Sequence, residues 1–286
     1  MCSRAGLALA ALLLAPANAA SAAPPSGGHW RPATYRVVGA SPLLASQLQA
    51  SGSTAYAVWV DHAKTRLALY PGLQEPPSAS PRGPAEVPAG QRWRLLATFN
   101  GGFRAAAAAG GFLVNGRIDQ PLQARMGTLV EYRDGSLAIL DWQGRTPPGA
   151  LVLARQNLPP LVWASRPTAR TRENWLWGAT LGGGAAVWRT AIGLTQAGDL
   201  VYAAAGGQTA ASLAALMVRL GAVRAIELDI NPQWPSFIAY ARRGGRDPIP
   251  LVHNRQQSAF RYLSPDKRDF FAVYTRAGGG PFVPFR

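Results

Sequence analysis

Two stretches that each read as strand, tight turn, strand restrict this chain more than any other feature. In "GTLVEYRDGSLAILDW", Gly127 to Trp142, alternating apolar runs flank Asp134-Gly135, a dipeptide suited to a two-residue hairpin turn. "TAIGLTQAGDLVYAAA", Thr190 to Ala205, repeats the plan around Ala197-Gly198-Asp199. Side chains that alternate with period two put one apolar face on each strand, so both stretches call for antiparallel sheet. Two units do not make a repeat protein. "TAYAVWVD" and "TRLALY" alternate in the same way and predict a further strand pair joined at His62-Ala63-Lys64.

A helix follows the second hairpin. Thr209 is placed to cap it, Leu213, Leu216, Met217 and Leu220 recur at helical spacing, and Gly221 ends it. "VRAIEL" then reads as a buried strand that stops near Asp229, because Asn231-Pro232 cannot continue a ladder. The expected fold is α+β: a strand-rich single domain of twisted mixed sheets built from hairpins, with at least one packed helix.

The N-terminus has a short basic start, the apolar run "AGLALAALLLA" and small residues at A-x-A spacing in "PANAASAAP". These are the three parts of a secretory signal peptide, expected over residues 1–23. The apolar run is too short for a comfortable membrane span, so no stable span is expected after cleavage. Residues 24–54 read as a lead-in and 55–286 as the domain. Pro71 to Gly90 is too rich in Pro and Gly for regular structure and is expected as a surface connection. The only cysteine is Cys2, so a mature chain has no disulfide and no Cys-ligated metal. Export without disulfides suits a secreted or cell-surface protein of a bacterium.

The formal net charge is +15, carried mostly by Arg, and the sequence pI is about 11.2. Such a surface favours a polyanion, here an anionic cell-wall polymer or exopolysaccharide glycan. No basic block or aromatic-interleaved Arg run of the nucleic-acid kind is present, so no nucleic-acid partner is expected. His29, His62 and His253 lie far apart without metal spacing. Gly182 to Gly184 lacks the strand and helix context of a nucleotide loop, and no Gly-Lys-Ser/Thr follows a Gly run. No metal or other cofactor is expected.

Acids are scarce, at 14 Asp and Glu in 286 residues, yet "AIELDINPQW" sets Glu227 and Asp229 two apart in an apolar run. Period two puts both on one side of the strand, near its mouth. Two close carboxylates can separate the roles of acid and base; alternatively, each pairs with an Arg. "LLATFNGGF", Leu95 to Phe103, ends a strand in Asn100-Gly101-Gly102, where backbone N–H groups can approach an oxyanion closely, or the chain simply turns.

In order and spacing, "ATFNGGF", "GGFLVNGRI", "WRTAIGLTQAGDLVYAAAGG", the helix "TAASLAALMVRLGAV" and "AIELD" resemble the phosphodiester glycosidase family, over roughly Tyr56 to Tyr240. The family's best-known activity removes N-acetylglucosamine from a sugar-1-phosphodiester. The resemblance implies that Asn100, Gly101 and Gly102 line the phosphate and sugar site, that Arg189 clamps phosphate, and that Asp229 is the catalytic carboxylate. An ion pair of Arg189 with an acid such as Asp199 is the alternative. Glu227 has no counterpart in the family pattern; it is kept as the second catalytic candidate, with an Arg expected to hold it. The last motif departs from the family's L-D-G-G-G-S, reading "LDINPQW". The expected function is therefore an exported glycosidase acting on sugar-1-phosphodiesters of cell-envelope glycans, with a catalytically silent binder of anionic wall polysaccharide as the alternative. Trp163, Trp175, Trp177, Trp188 and Trp234 are candidate sugar platforms, Trp234 first because it lies beside the mouth.

Overall fold

The structure, a computed structural model, describes residues 23–37, 39–79, 83–107, 110–144, 151–178, 183–252 and 257–276. The expected signal segment, apart from Ala23, lies outside these residues, as do His253 and Gly182. No helix among them is long and apolar enough to cross a membrane.

Three sheets carry the chain. The first has eight strands in the order Arg31–Pro32, Leu43–Ala50, Ser53–Val60, Leu200–Gln208, Val187–Thr195, Ala222–Glu227, Val162–Trp163 and Arg166–Pro167. The second runs Arg117–Gln120, Phe112–Val114, Leu151–Gln156, Gly127–Tyr132, Leu137–Asp141, and the third Arg246–Pro250, Phe237–Arg242, Leu95–Asn100, Phe270–Thr275, Thr65–Tyr70. The fold is α+β as expected, but every strand pairing among the described residues is antiparallel rather than mixed.

Both expected hairpins form, Leu200 opposite Leu194 in one and Glu131 opposite Leu137 in the other. The pair expected at His62-Ala63-Lys64 does not. Ser53–Val60 already has a neighbour on each edge, Leu43–Ala50 and Leu200–Gln208, and so has no free edge for Thr65–Tyr70. The His62–Lys64 segment is instead a 3-10 turn, held as Lys64 donates to the Asp61 carboxylate at 2.7 Å. It carries the chain into the third sheet, where Thr65–Tyr70 pairs with Phe270–Thr275. The stretch read as lead-in likewise holds Leu43–Ala50, a full strand of the first sheet.

The core sits where the three sheets face one another. Val58, Ile192, Tyr202 and Ile226 of the first meet Phe99, Phe237 and Phe271 of the third and Leu129 and Leu153 of the second. Phe99 stacks on Phe237 at 5.3 Å and on Phe271 at 5.0 Å between ring centroids, and lies tilted against Tyr202 at 5.6 Å. Each buried aromatic of this kind contributes roughly 1.5–3 kcal/mol by leaving water. The other face of the first sheet takes the helix Ala210–Arg219, through Leu213, Ala214 and Met217 against Ala191, Val201 and Ala203. Both faces of Leu200–Gln208 are therefore apolar, which is why it reads "LVYAAAGG". Thr209 caps the helix by accepting from the Ser212 amide, and Gly221 follows with φ 81°.

The Arg133–Ser136 turn docks the second sheet on the third. The Gly135 carbonyl accepts from Arg66 Nη1 at 3.1 Å and from His62 Nε2 at 2.7 Å, and with φ 80° and the Arg66 guanidinium against it the position admits no side chain. Glu131 is buried beneath, with Oε2 lacking a hydrogen-bond partner among the described residues. Burial pushes its carboxyl up to about 8, against the pull of Arg66 and Arg276. The native state thus holds a proton that the unfolded chain releases near 4.5, so this contribution to stability is full at low pH and is lost as pH rises towards 8. Glu131→Gln, which mimics the protonated acid, is expected to flatten that decline between pH 5 and 8 in urea unfolding. An unchanged slope contradicts the assignment.

Candidate active site

Where Leu95–Asn100 leaves the third sheet, Asn100 to Phe103 threads between all three sheets. The Asn100 amide donates to Ser236 O and the Gly101 amide to Asp269 O. The Phe103 amide donates to Asn157 Oδ1 at 2.8 Å, and its carbonyl accepts from Arg155 Nη2 at 2.8 Å. A Cβ on Gly101 would overlap the Asp269 carboxylate, and one on Gly102 would lie 2.7 Å from Asn157 Oδ1. Glycine is required at both positions for close approach. Asn100 is 2% exposed. Its Nδ2 donates to Thr190 Oγ1 and its Oδ1 accepts from Tyr202 OH and the Ser236 amide.

Three ion pairs surround this crossing. Arg189 Nη1 meets Glu227 Oε1 at 2.6 Å, both side chains fully buried. Arg268 Nη2 meets Asp229 Oδ2 at 2.6 Å and also donates to Gly102 O at 2.9 Å. Arg155 grips Asp269 with two nitrogens, Nε at 2.8 Å and Nη2 at 3.3 Å. A further amide, Asn157 Nδ2, donates to Glu227 O and ties the second sheet to the first. Burial raises both the Glu227 and Asp229 carboxyls above their ordinary values, while Arg189 and Arg268 respectively oppose the shift.

The two acids occupy different settings. Glu227 is the last residue of its strand, 0% exposed, with the Arg expected opposite it being Arg189. Arg189 also donates to Gln208 O, Trp177 O and Ala185 O. Each of its three nitrogens thus meets an acceptor of the protein itself. Its partner is not Asp199, which accepts from the His62 amide. Asp229 lies beyond the strand, 5% exposed; its Oδ1 accepts from the Asn231 amide, which closes a short turn. The Asn231–Gln233 tip is exposed, whereas Ile230 turns inward into the cluster of Phe103 and Trp177. Trp234 is half-buried, and the guanidinium carbons of Arg261 and Arg268 lie 4.9 and 5.3 Å from its ring centroid. Of the other candidate platforms, Trp177 is fully buried and Trp188 half-buried, while Trp163 and Trp175 are exposed.

Arg268, Arg155, Asp269 and Asn157 are not marked by the sequence. In a chain with 29 Lys and Arg, single arginines stand out little. The adjacent pair Arg268-Asp269 in "RDFFAVYTR" was the available signal. Two features of Arg268 make it chemically distinct: its Nε is buried without an acceptor among the described residues, and its partner Asp229 is the most exposed of the three paired carboxylates at this crossing. A guanidinium with one unused donor can take an anionic oxygen without breaking an existing bond.

The different settings predict different mutant phenotypes. Glu227→Gln leaves the Arg189 charge buried without compensation and is expected to cost about 3–5 kcal/mol of stability. Asp229→Asn keeps the Asn231 contact and lies closer to water, so its loss in urea unfolding should be clearly smaller. Equal losses contradict this ordering.

Residues 94–229 match the phosphodiester glycosidase family model. No curated protein sequence matches the chain. Among solved structures, the catalytic domain of zebrafish N-acetylglucosamine-1-phosphodiester alpha-N-acetylglucosaminidase, auto-inhibited by pro-peptide, is similar in fold. It has 14% identity and a TM-score of 0.53, covering 86% of this chain and 87% of that one. A hypothetical protein from Synechocystis aligns with 12% identity and a TM-score of 0.49, over 84% of this chain and 63% of that one. The matched segment runs from the entrance of the Leu95–Asn100 strand to Asp229 and so contains the glycine crossing and both acids. Residues 94–229 are thus similar to the phosphodiester glycosidase family over just under half of the chain, a likeness that supports a glycosidase-type function.

Proposed function

We propose that the protein is an exported hydrolase of sugar-1-phosphodiesters in cell-envelope glycans, with Asp229 and Arg268 at the reacting centre. The observation that supports this reading best is the Asp229–Arg268 pair at 2.6 Å, laid across the Gly102 carbonyl, with Arg268 Nε unused. Residues 1–23 direct export in this reading, and the basic surface favours an anionic polymer.

The reaction breaks the bond from the sugar C1 to the phosphate oxygen, and the electron pair leaves on that oxygen. A water oxygen bonds to C1 and gives up its proton. A phosphate leaving group needs little protonation, so the main demands are a carboxylate facing the positive charge that develops at C1 and a cation holding the phosphate. Asp229 meets the first demand, and burial, opposed by Arg268, raises its affinity for the proton that the water gives up. Arg268 meets the second through Nε, while the Gly102 amide, without a partner among the described residues, lies on the same segment. Asn100, Glu227 and Arg189 hold the floor of the site and do not touch substrate.

The test is release of free sugar from a methyl phosphodiester of N-acetylglucosamine by the mature protein. Asp229→Asn is expected to lower kcat by roughly 100-fold or more, and Arg268→Lys to raise KM as well, with folding intact by circular dichroism. Absence of release from N-acetylglucosamine, glucose and galactose phosphodiesters by folded protein contradicts the proposal. The inward packing of Ile230 and the Trp234 ring against Arg268 favour a second reading, a silent binder of wall polysaccharide. That reading predicts salt-sensitive wall binding without sugar release.

A further inference from the structure

We propose that the cleft beside Trp163 is a second carbohydrate site, which holds an acidic sugar of the glycan chain outside the Asp229–Arg268 centre. Trp163 ends the Val162–Trp163 strand and lies opposite Arg224 in the first sheet. The Arg224 guanidinium carbon sits 4.4 Å from the indole centroid, and its Nη1 is pinned to Ile139 O at 3.1 Å. The ring is therefore fixed in place yet remains 37% exposed. It lines a cleft of about 410 Å³ together with Arg125, Arg170, Asp141, Gln143 and the Pro159-Pro160 wall.

This is the composition of a sugar site. A rigid indole offers an apolar plate to the C–H face of a pyranose and loses little freedom on binding. Asp141 and Gln143 can hydrogen-bond hydroxyls. Arg125 and Arg170 are exposed, and neither guanidinium has a partner among the described residues, so both are available to a carboxylate or phosphate.

The backbone adds an independent observation. The turn after Trp163 places Ala164 at φ 48° and Ser165 at φ 61°, and Arg125 across the cleft has φ 65°. A two-residue turn of this kind ordinarily takes Asn-Gly. Three non-glycine residues in left-handed conformation around one cleft mark it as a place where the fold tolerates strain, a pattern associated with ligand clamps. Arg224, on which the indole packs, lies on the strand Ala222–Glu227 that runs towards Asp229. A glycan fits better than a nucleic acid. There is one aromatic plate and not the row of them on which successive bases stack. The inference rests on the proposed function only in taking the polymer to be a glycan.

Calorimetric titration of the mature protein at low salt tests it with four probes: hexagalacturonate for a carboxylate, a glycerol-phosphate oligomer for a phosphate, neutral maltohexaose, and oligothymidylate. At least one acidic oligomer is expected to bind tenfold or more tighter than maltohexaose, and which one identifies the anion. Trp163→Ala and the pair Arg125→Asn with Arg170→Gln should each weaken that binding at least tenfold. Asn is chosen at position 125 because it tolerates the left-handed backbone. All these residues are outside the reacting centre, so turnover of the small methyl phosphodiester should stay within twofold. Failure of the wild type to bind either acidic oligomer overturns the inference, as does unchanged binding in both variants. Oligothymidylate bound as tightly and weakened as much by the variants also overturns it. The binding readout stands whether or not sugar release is found.

Discussion

No side chain fits at Gly101 or Gly102, and that constraint governs how the three sheets meet. The Gly101 amide reaches Asp269 O, the Gly102 carbonyl receives Arg268, and Asn157 Oδ1 closes on the Phe103 amide. Two of these contacts come from the adjacent pair Arg268-Asp269 and the third from Asn157. The crossing thereby brings the exit of Leu95–Asn100, the start of Phe270–Thr275, the end of Leu151–Gln156 and the end of Ala222–Glu227 to one point. The stacked rings of Phe99, Phe237 and Phe271 sit directly behind it and hold that geometry.

Around this point the fold buries charge, which is costly unless each ion has a partner and its remaining hydrogen bonds are met. Every nitrogen of Arg189 has an acceptor, one carboxylate and three carbonyls in all, although Oε2 of its partner Glu227 has none among the described residues. Arg268 differs, since Nε is left over. The distinction separates a cation that stabilises the sheet junction from one with capacity for a ligand. The same distinction separates Glu227, sealed under the first sheet, from Asp229 at the loop. Ile230 fills space beside Phe103 and Gly178.

Local pattern made much of the fold legible. Alternation around Asp134-Gly135 and Gly198 specified two hairpins, and Thr209 with Gly221 bounded the helix, because those signals act within a few residues. The pairing of Thr65–Tyr70 was not legible. Which edge a strand joins depends on which edges are already filled, and Leu43–Ala50 fills one that the local pattern leaves open. An Arg opposite Glu227 was legible from the burial its strand position demands, but which Arg was not. Arg189 carries the same symbol as Arg155 and Arg268, and only the number and direction of acceptors tells them apart. Trp234 shows the reverse: its position beside the mouth was readable, but the two guanidinium groups on its ring come from residues 27 and 34 positions later.

The central claim is that the anion of the substrate binds at Arg268 above the Gly101-Gly102 crossing. A crystal of the mature protein soaked with a non-hydrolysable N-acetylglucosamine-1-phosphonate tests it most directly. The account predicts phosphonate oxygens within hydrogen-bond distance of Arg268 Nε, Trp234 displaced from Arg268, and the Arg189–Glu227 pair unchanged. Phosphonate bound to Arg189, or an undisturbed Arg268–Trp234 contact with the ligand bound elsewhere, contradicts it.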